Sequence, residues 1–203
     1  MLQKLRGLLA LGVLMSCIFA VGRAEKADEM VDNPKFKFWA NFKPGANATY
    51  DETTKFFGPE KSAVPGGVEH KTIHYRLLSV TKDRAVVLTT VVEEDFLQTV
   101  ESAPTKITFP AKVKKANLLA FLDEWNAKDA PDETIKVGGK DVKCKVKAGT
   151  QKEEGSTVDA KICFSETVPG GVVLHTRTTK ERDKVVAETT TRLLSFSETG
   201  GDR

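Results

Sequence analysis

Residues 141–147 alternate without a fault. Val142, Cys144 and Val146 occupy one phase, Lys143, Lys145 and Lys147 the other. A period of two is the signature of an extended strand with one face turned to a core. It constrains this chain more than any other feature because it recurs. Val68–Val80 places Ile73, Tyr75 and Leu77 on one face, and Val158, Ala160, Ile162 and Phe164 share another. Residues 85–92, 172–179 and 185–196 are rich in Val and Thr, side chains suited to a pleated, half-solvated surface. The pattern predicts a mainly β protein, a curved antiparallel sheet or half-barrel with one docked short α-helix.

The turns agree. Gly138-Gly139 separates Ile135-Lys136-Val137 from Asp141-Val142 and fits a two-residue hairpin, since both central positions tolerate positive φ. That register sets Ile135 opposite Val142. The charged stretches 81–84 and 180–183 read as further hairpin tips. The helix is expected near 117–126, where Leu118, Phe121, Leu122 and Trp125 form an i, i+3, i+4, i+7 stripe behind Asn117 as N-cap. So short a helix must dock on the sheet to be stable. Ala130-Pro131-Asp132 is expected to separate it from the later strands.

The first residues belong to a different argument. Lys4 and Arg6 precede an apolar run, Leu8 to Val21, followed by Gly22-Arg23-Ala24. This is the pattern of a secretory signal peptide, 1–24, cut after Ala24. An apolar run of about 14 residues falls short of a permanent bilayer span. Two alternatives stand beside cleavage: an uncleaved anchor, and lipidation at Cys17, since Leu14-Met15-Ser16-Cys17 loosely resembles a lipobox. The organisation expected is then a 25–45 segment with an aromatic plug, a single antiparallel β domain at 46–197 and a polar tail at 198–203. The expected location is exported: periplasmic, secreted or associated with the cell envelope.

Export alters the charge balance. The chain has 31 Lys and Arg against 28 Asp and Glu. Loss of Lys4, Arg6 and Arg23 leaves 28 of each sign, so the mature part is neutral. A neutral domain carries no electrostatic footprint for nucleic acid or an anionic membrane surface. The cluster Phe36, Phe38, Trp39 and Phe42 therefore reads as a hydrophobic plug closing one end of a core rather than as a stacking platform for bases.

Val64-Pro65-Gly66-Gly67-Val68 recurs as Val168-Pro169-Gly170-Gly171-Val172, and Arg76-Leu77-Leu78-Ser79 as Arg192-Leu193-Leu194-Ser195. Pro-Gly is the type II turn pair. The two repeats are spaced unequally, by 104 and 116 residues, so duplication competes with independent use of the same turn chemistry. The Val-Pro-Gly-Gly-Val strand entry, Phe42-Lys43-Pro44-Gly45 and the Gly138-Gly139-Lys140 to Cys144 hairpin together resemble a group of uncharacterised exported bacterial proteins. The resemblance implies a shared fold and no shared chemistry. More distantly, a curved sheet carrying a helix is similar to the periplasmic lipoprotein-carrier fold, on architecture alone.

Cys144 and Cys163 remain after cleavage, an even number in an exported chain, and form the disulfide candidate. The alternation objects: Cys163 shares a phase with Asp159 and Lys161, so burial would match Cys144 with Ile162 or Phe164 instead. A β-bulge would reconcile the two, and separate thiols are the competing reading. Their spacing suits neither zinc nor thioredoxin-like redox chemistry.

Catalytic patterns are missing. His70 and His74 would lie about 13 Å apart along a strand, and His175 is the third and last histidine. There is no Gly-x-Ser-x-Gly elbow and no Gly-rich phosphate loop. Glu93-Glu94-Asp95 lacks calcium-loop spacing and reads as a solvated hairpin end. No cofactor or metal is expected. Asn47-Ala48-Thr49 is formally a glycosylation sequon. The function expected is non-enzymatic: an exported protein binding an apolar ligand or lipid on a concave sheet face, with Ile73, Tyr75 and Leu77 as candidate ligand-binding residues. The alternatives are a structural or adhesive envelope protein with a protein partner, and an enzyme whose three histidines converge from different strands.

Overall fold

The computed structural model describes residues 29–57, 67–95, 98–115, 127–153 and 155–199. The expected signal peptide with Cys17, the helix expected near 117–126 and the end of the polar tail lie outside these residues. The chain forms β1 (Met30–Asp32), α1 (Pro34–Ala40), β2 (Asn47–Phe56), β3 (Val68–Val80), β4 (Arg84–Asp95), β5 (Gln98–Glu101) and β6 (Thr105–Pro110). It continues through β7 (Lys112–Lys114), β8 (Lys128–Val137), β9 (Lys140–Glu153), β10 (Ser156–Phe164), β11 (Val172–Glu181) and β12 (Lys184–Ser197).

The main sheet is antiparallel throughout, in the order β5-β4-β3-β2-β12-β11-β10-β9-β8, with β6 sharing the outer edge of β4. Two meanders, β2–β6 and β8–β12, are thus joined where β2 pairs with β12. The sheet stays open but curls. The tip of the β8–β9 hairpin returns toward β12, where a Cβ on Gly138 would stand 3.7 Å from the Leu194 carbonyl oxygen and Lys140 Nζ lies 5.6 Å from the centre of the Phe196 ring. The expected fold class is the one observed.

Local chemistry sets the hairpins as expected. Gly138 and Gly139 have φ of +55° and +83°, and Ile135 faces Val142. The 180–183 tip closes on Glu181 and Lys184 through Arg182 and Asp183, both in the left-handed region. At the 81–84 tip, the Thr81 hydroxyl accepts the Asp83 and Arg84 amides.

The Arg-Leu-Leu-Ser repeat is a bulge motif. In both copies the register slips between the first Leu and the Ser, Leu77/Ser79 in β3 and Leu193/Ser195 in β12. Leu77 and Leu193 are each 1% exposed, whereas Leu194 is 45% exposed. The strands carrying the two copies flank β2. The Val-Pro-Gly-Gly-Val copies instead precede β3 and β11. One motif matches β3 to β12, the other β3 to β11. The two motifs therefore do not match one strand of the first meander to one strand of the second.

The 34–40 part of the aromatic plug is helical. Asn33 caps α1 by accepting the Lys35 amide at 3.0 Å, and Pro34 fills the first turn, where no amide partner is needed. Two expectations need correction. Ala130-Pro131-Asp132 does not precede the strands. It lies inside β8, where the register slips between Ala130 and Glu133 to accommodate the proline. The second correction concerns phase. Cys163 faces Val146, Ile162 faces Lys147 and Phe164 faces Lys145. Opposed residues share a face, so the apolar set of β9 and that of β10 lie on opposite sides of the sheet. Cys163 keeps the phase of Asp159 and Lys161 but is fully buried, because it packs in one core cluster with Cys144, Val146 and Val173.

Two apolar cores result. One gathers Ala48, Tyr50, Val137, Val142, Cys144, Val146, Cys163, Val168, Val173 and Leu193. The other sets Trp39 of α1 on Ala46, Leu77, Ala85 and Val87, with Phe36, Phe42 and Phe109 around them. Tyr75 packs against both.

Candidate functional site

A cavity of about 630 Å³ lies between α1 and the sheet. One wall is Phe38 and Trp39 of α1, with Ile107 and Phe109 of β6. The floor is Tyr50, Ile73, Tyr75, Ile162, Phe164 and Val172. That volume falls within the range of pockets that enclose small ligands.

The aromatic wall is built from the second Pro-Gly-Gly turn. Gly170 and Gly171 have φ of +81° and +79°. A Cβ on Gly171 would stand 2.3 Å from Phe38 Cγ, and one on Gly170 would stand 3.1 Å from Trp39 Cζ2. Only glycine leaves room for these rings. The Gly170 amide also donates to the Phe38 carbonyl at 3.2 Å. From there Phe38 meets Phe164 edge-on at 6.0 Å, Trp39 meets Tyr75 at 6.4 Å, and Tyr75 meets Tyr50 edge-on at 5.6 Å. The Tyr50 hydroxyl donates to the Val172 carbonyl at 3.0 Å, and burial raises its pKa. At the other end, Asn33 is buried, donating from Nδ2 to the Pro110 carbonyl at 2.8 Å and from its amide to Ala111 at 2.9 Å. Asp32 pairs with Lys37 at 3.0 Å and Lys112 at 3.2 Å, and these bonds, Lys37 first, lower its pKa.

One margin of the cavity is polar. Register carries a row across the strands from Lys147 through Ile162, His175 and Thr191 to Glu52. Thr191 donates to Glu52 at 3.0 Å. Burial, then Arg177, lowers the His175 pKa. Lys147 reaches this apolar wall because β9 and β10 pair out of phase.

Of the three expected ligand-binding residues, Ile73 and Tyr75 line the cavity. Leu77 lies in the core beneath Trp39. Sequence reasoning missed Phe38, Trp39, Phe164, Lys147 and His175 as members of the same site. Phe38 and Trp39 were legible as a plug, but the glycines that receive them are distant in sequence. The histidines do not converge. His70 and His74 lie on the exposed face, bonded to Thr53 at 3.1 Å and Thr49 at 3.2 Å, while His175 is on the cavity side. Glu93 pairs with Lys71 at 3.3 Å. No cluster of His, Cys, Asp or Glu that could hold a metal ion occurs among the described residues.

Cys144 and Cys163 are free, buried thiols. Cys163 is opposite Val146, so Cys144 is its diagonal neighbour on the same face. The Cys163 pKa is pushed up to about 11 by burial, against the opposing pull of Lys161. Burial, then Glu133, raises that of Cys144.

No protein-family model matches the chain, and no curated protein does. Two solved structures share part of its path. A Bacteroides fragilis protein of YmcC-like fold, described as exported, superposes with a TM-score of 0.44 at 8% identity, over 77% of this chain and 97% of its own. MucB, solved in complex with MucA(peri), gives 0.39 at 10% identity, over 88% of this chain and 58% of MucB. At these values the likeness carries nothing about residues or chemistry. Among the described residues, no helix is long and apolar enough to cross a membrane.

Proposed function

We propose that this is an exported, non-enzymatic protein that binds an apolar ligand in the cavity beneath α1. The carrying observation is the cavity itself: about 630 Å³ walled by Phe38, Trp39, Tyr50, Ile73, Tyr75 and Phe164. A chain that only needed a core would gain by filling that volume, because unfilled apolar space forfeits contacts. Export rests on Lys4, Arg6 and the Leu8–Val21 run.

The full chain, expressed with its own leader in a bacterial host, is expected to reach the envelope fraction shortened by 24 residues. The purified protein is expected to bind the neutral probe N-phenyl-1-naphthylamine saturably at one per chain, and Ile73→Glu is expected to abolish this. Native mass spectrometry showing neither a co-purifying apolar molecule nor a shift with added lipid, together with no saturable probe signal, would refute the binding reading. Cross-linking to an envelope protein under those conditions would favour the structural alternative.

A further inference from the structure

The cavity has a direction that an oily pocket lacks. Its strand-borne polar groups are not scattered. Among the described residues Lys147, His175, Thr191 and Glu52 follow one register row, two residues along β2 from Tyr50, while Lys35 adds an ammonium from α1. Four strand steps separate Lys147 in β9 from Glu52 in β2, a span of roughly 19 Å at the usual inter-strand spacing. Beyond that row the cavity is aromatic and aliphatic as far as Ile107 and Phe109 on β6. A ligand matching this surface has a polar end on the row and an apolar body under α1.

The charges choose the sign of that end. Among the described residues, Lys35 and Lys147 are the ammonium groups lining the cavity, and Glu52 is the carboxylate, already accepting the Thr191 hydroxyl. Among the described residues no arginine lines it, whereas bidentate recognition of phosphate favours guanidinium. Glu52 would further oppose a dianion. Lys147 stands against Ile162, at the boundary between solvent and the apolar wall, where its ion pair with Asp129 is long, at 3.8 Å, and Asp129 is 90% exposed. An ammonium there gains more from an anion docked at the cavity mouth than from a carboxylate out in water.

We infer that the ligand is a single-chain amphiphile with a carboxylate head, its head at Lys147 and its chain beneath Phe38 and Trp39. This rests on the reading of the cavity as an apolar-ligand site and adds the head-group class to it. Binding is linked to protons. His175 is faced by Ile162 on β10, Thr191 on β12 and, farther along the row, Lys147 and Glu52. Arg177 lies on its own strand, and Tyr50 and Tyr75 line the same cavity. A carboxylate added to this setting favours the imidazolium, so the ligand is held more tightly as pH falls through the range in which His175 titrates.

The test uses the full mature chain stripped of endogenous ligand. Dodecanoate, dodecanol and dodecyl phosphocholine are titrated below their micelle concentrations and followed by calorimetry and tryptophan fluorescence. Dodecanoate is expected to bind about tenfold more tightly than dodecanol. Lys147→Gln should cut that preference below about threefold, and circular dichroism checks its fold. Lys35→Gln, at an exposed position on α1, should reduce the preference by a smaller factor. Dodecanoate, and not dodecanol, should raise the His175 titration midpoint seen by NMR. Equal affinity for acid and alcohol overturns the head-group assignment and leaves the apolar site standing. Tighter binding of the phosphocholine also overturns it. Binding of none of the three removes both readings.

Discussion

Two diglycines in this chain look alike in sequence and do different work. Gly138-Gly139 and Gly170-Gly171 each place two consecutive residues at positive φ. At the first, the turn joins β8 to β9; a Cβ on Gly139 would meet nothing within 4 Å, and one on Gly138 only an ordinary contact 3.7 Å from the Leu194 carbonyl oxygen. At the second, the missing side chains leave the space that Phe38 and Trp39 occupy. One pair answers to backbone geometry alone, while the other answers to a segment more than a hundred residues away. A glycine's reason for being there is therefore local in one case and tertiary in the other.

This contrast can be broken from either partner. Trp39→Ala removes the ring that fills the helix-side core and is expected to cost about 3–5 kcal/mol in urea unfolding, with loss of probe binding. Gly171→Ala combines a left-handed position with a Cβ inside the Phe38 ring. About 3 kcal/mol is expected, together with a red shift in tryptophan emission as α1 loosens. Gly139→Ala meets only the conformational penalty, about 1 kcal/mol, and should leave emission and probe binding unchanged. Equal costs for the two glycine variants would erase the distinction. The smallest effect concerns pH. The folded His175 pKa lies below its ordinary 6.5, so the unfolded chain takes up a proton first as pH falls. Its contribution to stability is therefore present above about pH 6.5 and is lost as pH drops through the folded value. His175→Gln should flatten the stability profile between pH 7 and 5, whereas Gly139→Ala should merely lower it in parallel.

Much of the sheet could be read from single strands because period two is a local signal. The hairpin at 138–139 was predictable to the register, since turn chemistry fixes which residues face each other. The candidate site was less legible. Ile73 and Tyr75, in phase on β3, line the cavity, but Leu77 on the same phase lies in the core against Trp39. Lys147 looked like a solvent-facing residue of an alternating strand. Its place at the cavity depends on β9 pairing with β10 out of phase, a relation between two strands that neither strand encodes. The helix at 34–40 had a readable cue in Asn33-Pro34, a cap followed by a first-turn proline, which the aromatic cluster overshadowed.

The borders of the sheet bear on how copies of this chain meet one another. On one side β5 and β6 share the flank of β4, each too short to offer a long ladder. On the other, β8 is interrupted at Pro131 and studded with Asp129, Asp132, Glu133 and Lys136. Neither margin presents an uninterrupted row of amides and carbonyls to a neighbouring molecule. Copies of such a chain can crowd together without seeding strand exchange.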